Sequence, residues 1–237
     1  MQISGWDEFP IKDWLEEAFQ LPVWVENDSN AAAWGEYQKG TGRGTQHFFY
    51  TNIGSGIGGG FIFNGELFDG QGFGAGEFGH TLIPNPIHSQ GETIIGIEQL
   101  CSGWSIENRL RRPGYVPEDS DLFIRMGRNL SEITTQDLAV SAKGGDSFAL
   151  AEIDLVARSI GIGLANVLSL TNVEAIAIGG GVSKMGELLI EPIRQYTANY
   201  VFESSRGKYK IQQCELGDDI VLVGAILLAH QAYTSVQ

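Results

Sequence analysis

Between Thr51 and His80 the chain reads TNIGSGIGGGFIFNGELFDGQGFGAGEFGH, and this glycine density directly after an apolar run constrains the fold more than any other feature. Aromatic and β-branched residues in HFFYTNI predict a strand that ends near Ile53. Gly54, Gly56, Gly58, Gly59 and Gly60 follow, a spacing that lets successive backbone N–H groups converge on one point and hold an anion. The chain resumes as FIFNGELF, whose central Asn64-Gly65 pair predicts two strands joined by a type I′ turn. A glycine-rich loop between strands differs from a Walker loop, which needs GxxxxGKS/T, and from a Rossmann loop, which needs a following helix.

A chain of 237 residues with 43% hydrophobic content can bury a sizeable core and suits one large or two small domains. The net charge of -14, with only 15 Lys and Arg, argues against nucleic-acid partners and against docking on anionic membrane. No uninterrupted apolar run approaches the roughly 20 residues of a membrane span, and MQISGWDEFPIKDW lacks the regions of a signal peptide, so a cytoplasmic location is expected. Cys101 and Cys214 read as reduced, packed thiols.

Along the chain, WDEFPIKDWLEEAFQ predicts a short amphipathic helix, LPVWVEN a strand, and SNAAAWGEYQKG a helix. Lys39 to Gln46, KGTGRGTQ, is the best linker candidate and sets an expected domain boundary. GIEQLCSGWSIENRLRR reads as helical, 137–170 as two helices, VEAIAIGG as a buried strand, and KMGELLIEPIRQYTANYVF as a helix. KYKIQQCEL is a late strand and IVLVGAILLAHQAY a terminal helix.

The run IGSGIGGGF, then Gly70, then GEFGH closing at His80 resembles the signature of the ROK family of repressors, open reading frames and sugar kinases. Four further segments resemble the family's: VENDSNAAAWGE at 25–36, IEQLCSG at 97–103, AIGGGVS at 177–183 and VGAILLA at 223–229. The resemblance implies an α/β chain with the actin-like, ribonuclease-H-like two-lobed ATPase fold, sugar and nucleotide meeting between the lobes. Residues 1–45 would belong to the first lobe, with the helix 221–237 packing back on it, and 46–220 would form the second lobe. The family's DxGxT phosphate loop does not occur in the sequence, so the first lobe is expected to be incomplete. Uncovered apolar faces would then favour association, and a homodimer is expected.

On the same grounds Asp28 is the candidate general base, accepting a sugar hydroxyl proton as the terminal phosphate of ATP is transferred. The alternative is that Asp28 or Ser29 caps the following helix. Asn27, Glu77, His80 and Glu98 are implied contacts to a hexose, although a lone Glu or His at such a place is more often a solvated group. Thr51, Gly54, Ser55, Gly56 and Gly58 are expected beside the phosphates, and Gly179, Gly180 and Gly181, which by themselves read equally as a strand-to-helix turn, beside the adenosine. Mg²⁺ is expected to arrive with ATP, held largely by phosphate and water.

Many family members join the GxxGH histidine to three cysteines in a CxCGxxGC loop, whereas this chain has TLIPNPIHSQGETIIG there. His80 and His88 supply at most two of the four ligands a structural zinc needs, so no zinc is expected and the loop 83–95 should be more mobile. Two functions follow: an ATP-dependent hexose kinase of glucokinase or fructokinase type, or a non-catalytic sugar-binding regulator or kinase remnant. The sequence has no helix-turn-helix ahead of the sugar-binding residues, which weighs against a repressor.

Overall fold

A computed structural model describes residues 9–71, 76–87 and 93–235. The strands among them are β1 (Phe48–Ile53), β2 (Ile57–Phe63), β3 (Glu66–Phe68), β4 (Leu82–Pro84), β5 (Ile94–Gly96), β6 (Ala175–Gly179) and β7 (Lys210–Gln213). The helices are α1 (Ile11–Phe19), α2 (Asp28–Lys39), α3 (Ile97–Cys101), α4 (Gly103–Leu110), α5 (Asp121–Arg125), α6 (Thr135–Lys143), α7 (Ser147–Thr171), α8 (Glu187–Tyr200) and α9 (Ile220–Ser235).

Five strands form one sheet in the order β3-β2-β1-β6-β7. β1, β2 and β3 are an antiparallel meander, with Phe48 opposite Ile62 and Phe61 opposite Phe68. The β2–β3 turn takes φ of 54° at Asn64 and 80° at Gly65, the two left-handed residues the Asn-Gly pair predicts. β6 and β7 continue the sheet in parallel, Phe48 pairing with Ala175 and Ile176 with Ile211. Parallel neighbours need crossover connections, and here the helices of 97–171 and then α8 supply them.

Strand alternation sends β1 side chains to two different cores. Phe49 and Ile53 join the larger one, beneath α7 and α8, while Phe48 and Tyr50 join a smaller one beneath α2 and α9. The long helix α7 is apolar enough to cross a membrane by length and composition, but it is the central helix of the larger core. Glu152, Asp154 and Arg158 interrupt its apolar run, which is why no such run stands out in the sequence. A Cβ on Gly161 would lie 2.6 Å from the Cβ of Tyr196, so the mid-helix glycine is what lets α8 approach.

Within this core Arg109 of α4 and Glu152 of α7 form a fully buried ion pair. Arg109 Nε donates to Glu152 at 2.7 Å, one terminal nitrogen donates to the Leu100 carbonyl at 2.9 Å, and the Tyr115 hydroxyl donates to Glu152 at 2.8 Å. Removing one partner of such a pair typically costs about 3–5 kcal/mol, because the other is left buried and charged. Burial also pushes the neighbouring Cys101 thiol up to about 12.

Two sequence expectations need correction. Residues 21–27 are not a strand, since no described segment pairs with them, and Leu21, Trp24 and Val25 are exposed. The helical reading of 96–112 splits at Ser102, whose extended backbone (φ -65°, ψ 153°) ends α3 and whose hydroxyl caps α4 by accepting from Ser105 N at 3.2 Å. The short helix α5 is only five residues long, too short for a helical period to show in the sequence, and the sequence reading left it out. Of the loop 83–95, residues 88–92 lie outside the described residues, while 82–84 and 94–96 pair as an antiparallel ribbon.

Candidate active site

Helix α2 brings its first turn to one side of a cleft of about 750 Å³. Asn27 is the cap: its side-chain oxygen accepts from the backbone N–H of Ser29 at 2.8 Å and of Asn30 at 3.3 Å. The cap is therefore neither Asp28 nor Ser29, the two alternatives weighed from sequence, and Asp28 is the first helical residue, exposed and lining the cleft. Ser29 Oγ lies 3.3 Å from both Asp28 Oδ1 and Asn52 Oδ1. Asn52 Oδ1 also accepts from Gly58 N at 2.9 Å, so one side chain joins α2, β1 and β2 at the cleft wall.

The glycine-rich stretch is a three-residue turn, 54–56, followed by strand rather than a continuous loop. Its N–H groups do not all converge on open space. Gly54 N donates to the Gly56 carbonyl at 2.9 Å, Ile57 N to a Glu98 carboxylate oxygen at 2.7 Å, and Gly58 N to Asn52. The strand glycines serve close packing instead: a Cβ on Gly60 would lie 2.6 Å from that of Ala33, and one on Gly58 would collide with Ser29 Oγ. At Gly56 it would come within 2.8 Å of Glu98 Oε2.

Glu98 enters from α3 on the opposite wall, its own carbonyl accepting from Ser105 Oγ at 3.0 Å. Glu77 precedes the short 3-10 turn Phe78–His80 and also lines the cleft, as do Ser55 and the exposed Trp104. Gly103 N donates to the Gly54 carbonyl at 2.7 Å, which fixes the start of α4, and hence Trp104, against the glycine turn.

Of the residues read from sequence, the cleft thus gathers Asn27, Asp28, Ser55, Gly56, Gly58, Glu77 and Glu98. His80 is exposed at the far end of its turn and outside the lining. Thr51 is fully buried, with its hydroxyl donating to the Gly58 carbonyl at 2.8 Å, and Gly54 is likewise outside the lining. Gly179 to Gly181 lie at the end of β6: a Cβ on Gly179 would lie 2.5 Å from the Tyr50 hydroxyl, and Gly180, at φ +85°, packs on the Ile53 backbone. Burial pushes the Tyr50 phenol upward, with Cys214, Glu36 and Asp28 adding to the shift in that order.

Sequence reading missed Ser29, Asn52 and Trp104 as lining residues. Asn52 carried a signal, because strand alternation puts it on the same face as Phe48 and Tyr50, where a polar residue is out of place unless it serves a site. Among the described residues no three His, Cys, Asp or Glu gather as a metal cluster.

The sequence profile of the ROK family matches residues 1–232. The glucokinase of Halalkalibacterium halodurans is 36% identical over 238 residues, covering 98% of this chain and 71% of the relative. The xylose repressor of Caldicellulosiruptor bescii is 32% identical, covering 94% of this chain and 56% of the relative. Among solved structures, a ROK family glucokinase from Streptomyces griseus in complex with glucose and AMPPNP superposes with a TM-score of 0.80 at 36% identity, covering 94% of this chain and 72% of that one.

Proposed function

The chain belongs to the ROK family, and from that premise we propose that it is an ATP-dependent hexose kinase of glucokinase type, transferring the terminal phosphoryl group to a sugar hydroxyl. One observation carries the reading: Asn27, Asp28, Glu77 and Glu98 line a single cleft beside the glycine turn. Phosphoryl transfer asks for positioning and charge neutralisation more than for covalent help from the protein. In this reading Asp28 accepts the hydroxyl proton, while Asn27, Glu77 and Glu98 hold neighbouring hydroxyls by hydrogen bonds. His80 joins them only if the turn 76–80 closes on the sugar, since it lies outside the cleft lining. The turn 54–56 faces the phosphates and residues 179–181 the adenosine.

Mg²⁺ would be carried in on ATP and held largely by phosphate and water. When bound, that ion supplies neutralisation of phosphate charge. A cytoplasmic location and a homodimer complete the proposal, the latter supported by the exposed apolar residues of 14–25.

A second reading, a sugar-responsive regulatory protein without turnover, is favoured by the xylose repressor relative. Calorimetry with glucose, fructose, mannose and N-acetylmannosamine, run beside a coupled ADP assay, separates the two. Sugar-dependent ADP release supports the kinase; binding without turnover moves the assignment to the regulator; neither removes both.

A further inference from the structure

Glu36 lies toward the end of α2 away from the cleft and is completely buried. Its carboxylate is met by four neutral donors. Oε1 accepts from Thr41 N at 3.0 Å, Thr41 Oγ1 at 2.6 Å and Glu215 N at 2.6 Å, and Oε2 accepts from Leu216 N at 3.2 Å. Gly40 leaves the room for this, since a Cβ there would lie 2.5 Å from Glu36 Oε1.

Packing alone does not call for a carboxylate here. Ala32, Ala33 and Trp34 already bury α2 against the sheet, and desolvating a carboxylate is costly unless its lone pairs are filled. The four donors come from two different connections: 40–41 leads from α2 toward β1, and 215–216 leads from β7 toward α9. One side chain therefore ties together both stretches of chain that run between the sheet and the α2–α9 pair. Charge-assisted bonds of this kind are directional, so they fix a position rather than merely fill space.

The opposite end of the same helix carries Asn27 and Asp28. A helix of 12 residues is a stiff rod of about 18 Å, and a tilt at one end reappears at the other. We propose that Glu36 is a positioning residue for Asp28: by clamping the far end of α2 to both connections, it sets where the Asp28 carboxylate stands relative to the 54–56 turn. This rests on the kinase reading for its effect on turnover, but not for its effect on α2.

The test uses the full chain with Glu36→Gln and, as a milder variant in case that one does not fold, Thr41→Val. The glutamine amide turns its NH2 group on either the one donor at Oε2 or the three at Oε1, and so weakens the clamp without changing side-chain size. Turnover should fall about 100-fold for Glu36→Gln, the order expected when a reacting group is displaced by about 1 Å. For Thr41→Val it should fall roughly 3-fold to 10-fold, as one hydrogen bond is lost. In an Asp28→Asn background neither change should lower turnover more than about 2-fold, because both act through the same carboxylate. Hydrogen exchange should quicken at the Ser29 and Asn30 amides and stay unchanged in β1 and α7. Losses that simply multiply with Asp28→Asn, or Ser29 and Asn30 amides that exchange as in the wild type, would overturn the assignment. If the wild type phosphorylates no hexose, the kinase reading fails by itself and the exchange measurement decides the role of Glu36 alone.

Discussion

Helices α1 and α2 are neighbours in sequence and opposites in burial. α1 has the sharper apolar stripe, yet none of its residues is buried, and Trp14 and Phe19 stand in solvent. α2 has hardly any stripe, being DSNAAAWGEYQK, yet Ser29 through Glu36 are all buried. Amphipathic pattern says which face a helix can bury, whereas the neighbours decide whether it does. α2 is enclosed on two sides because small residues let both sides come close: Gly58 and Gly60 of β2 on one, Gly224 of α9 on the other.

The sharpest way to break this contrast is chemical. Asp28→Asn leaves the cap on Asn27 and the buried residues of α2 untouched, so stability should move by less than about 0.5 kcal/mol. Turnover should drop by roughly 10² to 10⁴, the range associated with losing a general base. Undiminished steady-state turnover would remove Asp28 from the mechanism.

Gly224→Ala strikes the packing instead. The added methyl falls on the Ala31 carbonyl, so α2 and α9 must separate, at a cost of roughly 1–3 kcal/mol seen as an earlier urea midpoint. A midpoint equal to the wild type would mean that α2 and α9 can part at Gly224 and Ala31 without loss.

Trp14→Ser on α1 should matter far less, under about 0.5 kcal/mol in the monomer, since an exposed side chain loses little. If the homodimer forms through this face, the same substitution should instead raise the dissociation constant measured by sedimentation. A stability loss at concentrations where the protein is monomeric would show that α1 is packed after all.

The smallest expected effect is none: chelator should leave the melting temperature unchanged, and elemental analysis should find well under one zinc per chain. Stoichiometric zinc would overturn the expectation that the loop after His80 holds no metal.

The sheet was legible because its signals are local. The aromatic and β-branched residues of 48–53, the Asn-Gly turn and the apolar run 175–179 each name a strand without reference to the rest of the chain. Residues 21–27 carry the same composition and are not a strand, because a ladder needs a partner and composition cannot announce one. At the site, the carboxylates were legible through the resemblance of their motifs, and the strand position of Asn52 gave a signal that went unread. Trp104 gave none: its place in the cleft depends on a backbone bond between Gly103 and Gly54, two residues far apart in the chain. The glycines of 58–60 read as N–H groups that hold an anion, and sequence could not say that Gly58 and Gly60 instead let β2 come close to α2.

The crossing of α2 by α9 also sets an order of events during synthesis. α2 leaves the ribosome well before α9, with β1 to β7 and α3 to α8 made between them, so the helix bearing Asp28 waits for all of these before its second wall exists. Contacts of such sequence separation slow folding and leave partly formed surfaces open to aggregation. The cleft should therefore mature after the α7 core, and a ribosome stalled before Ile220 should present a folded α7 core with Asp28 on a helix not yet enclosed.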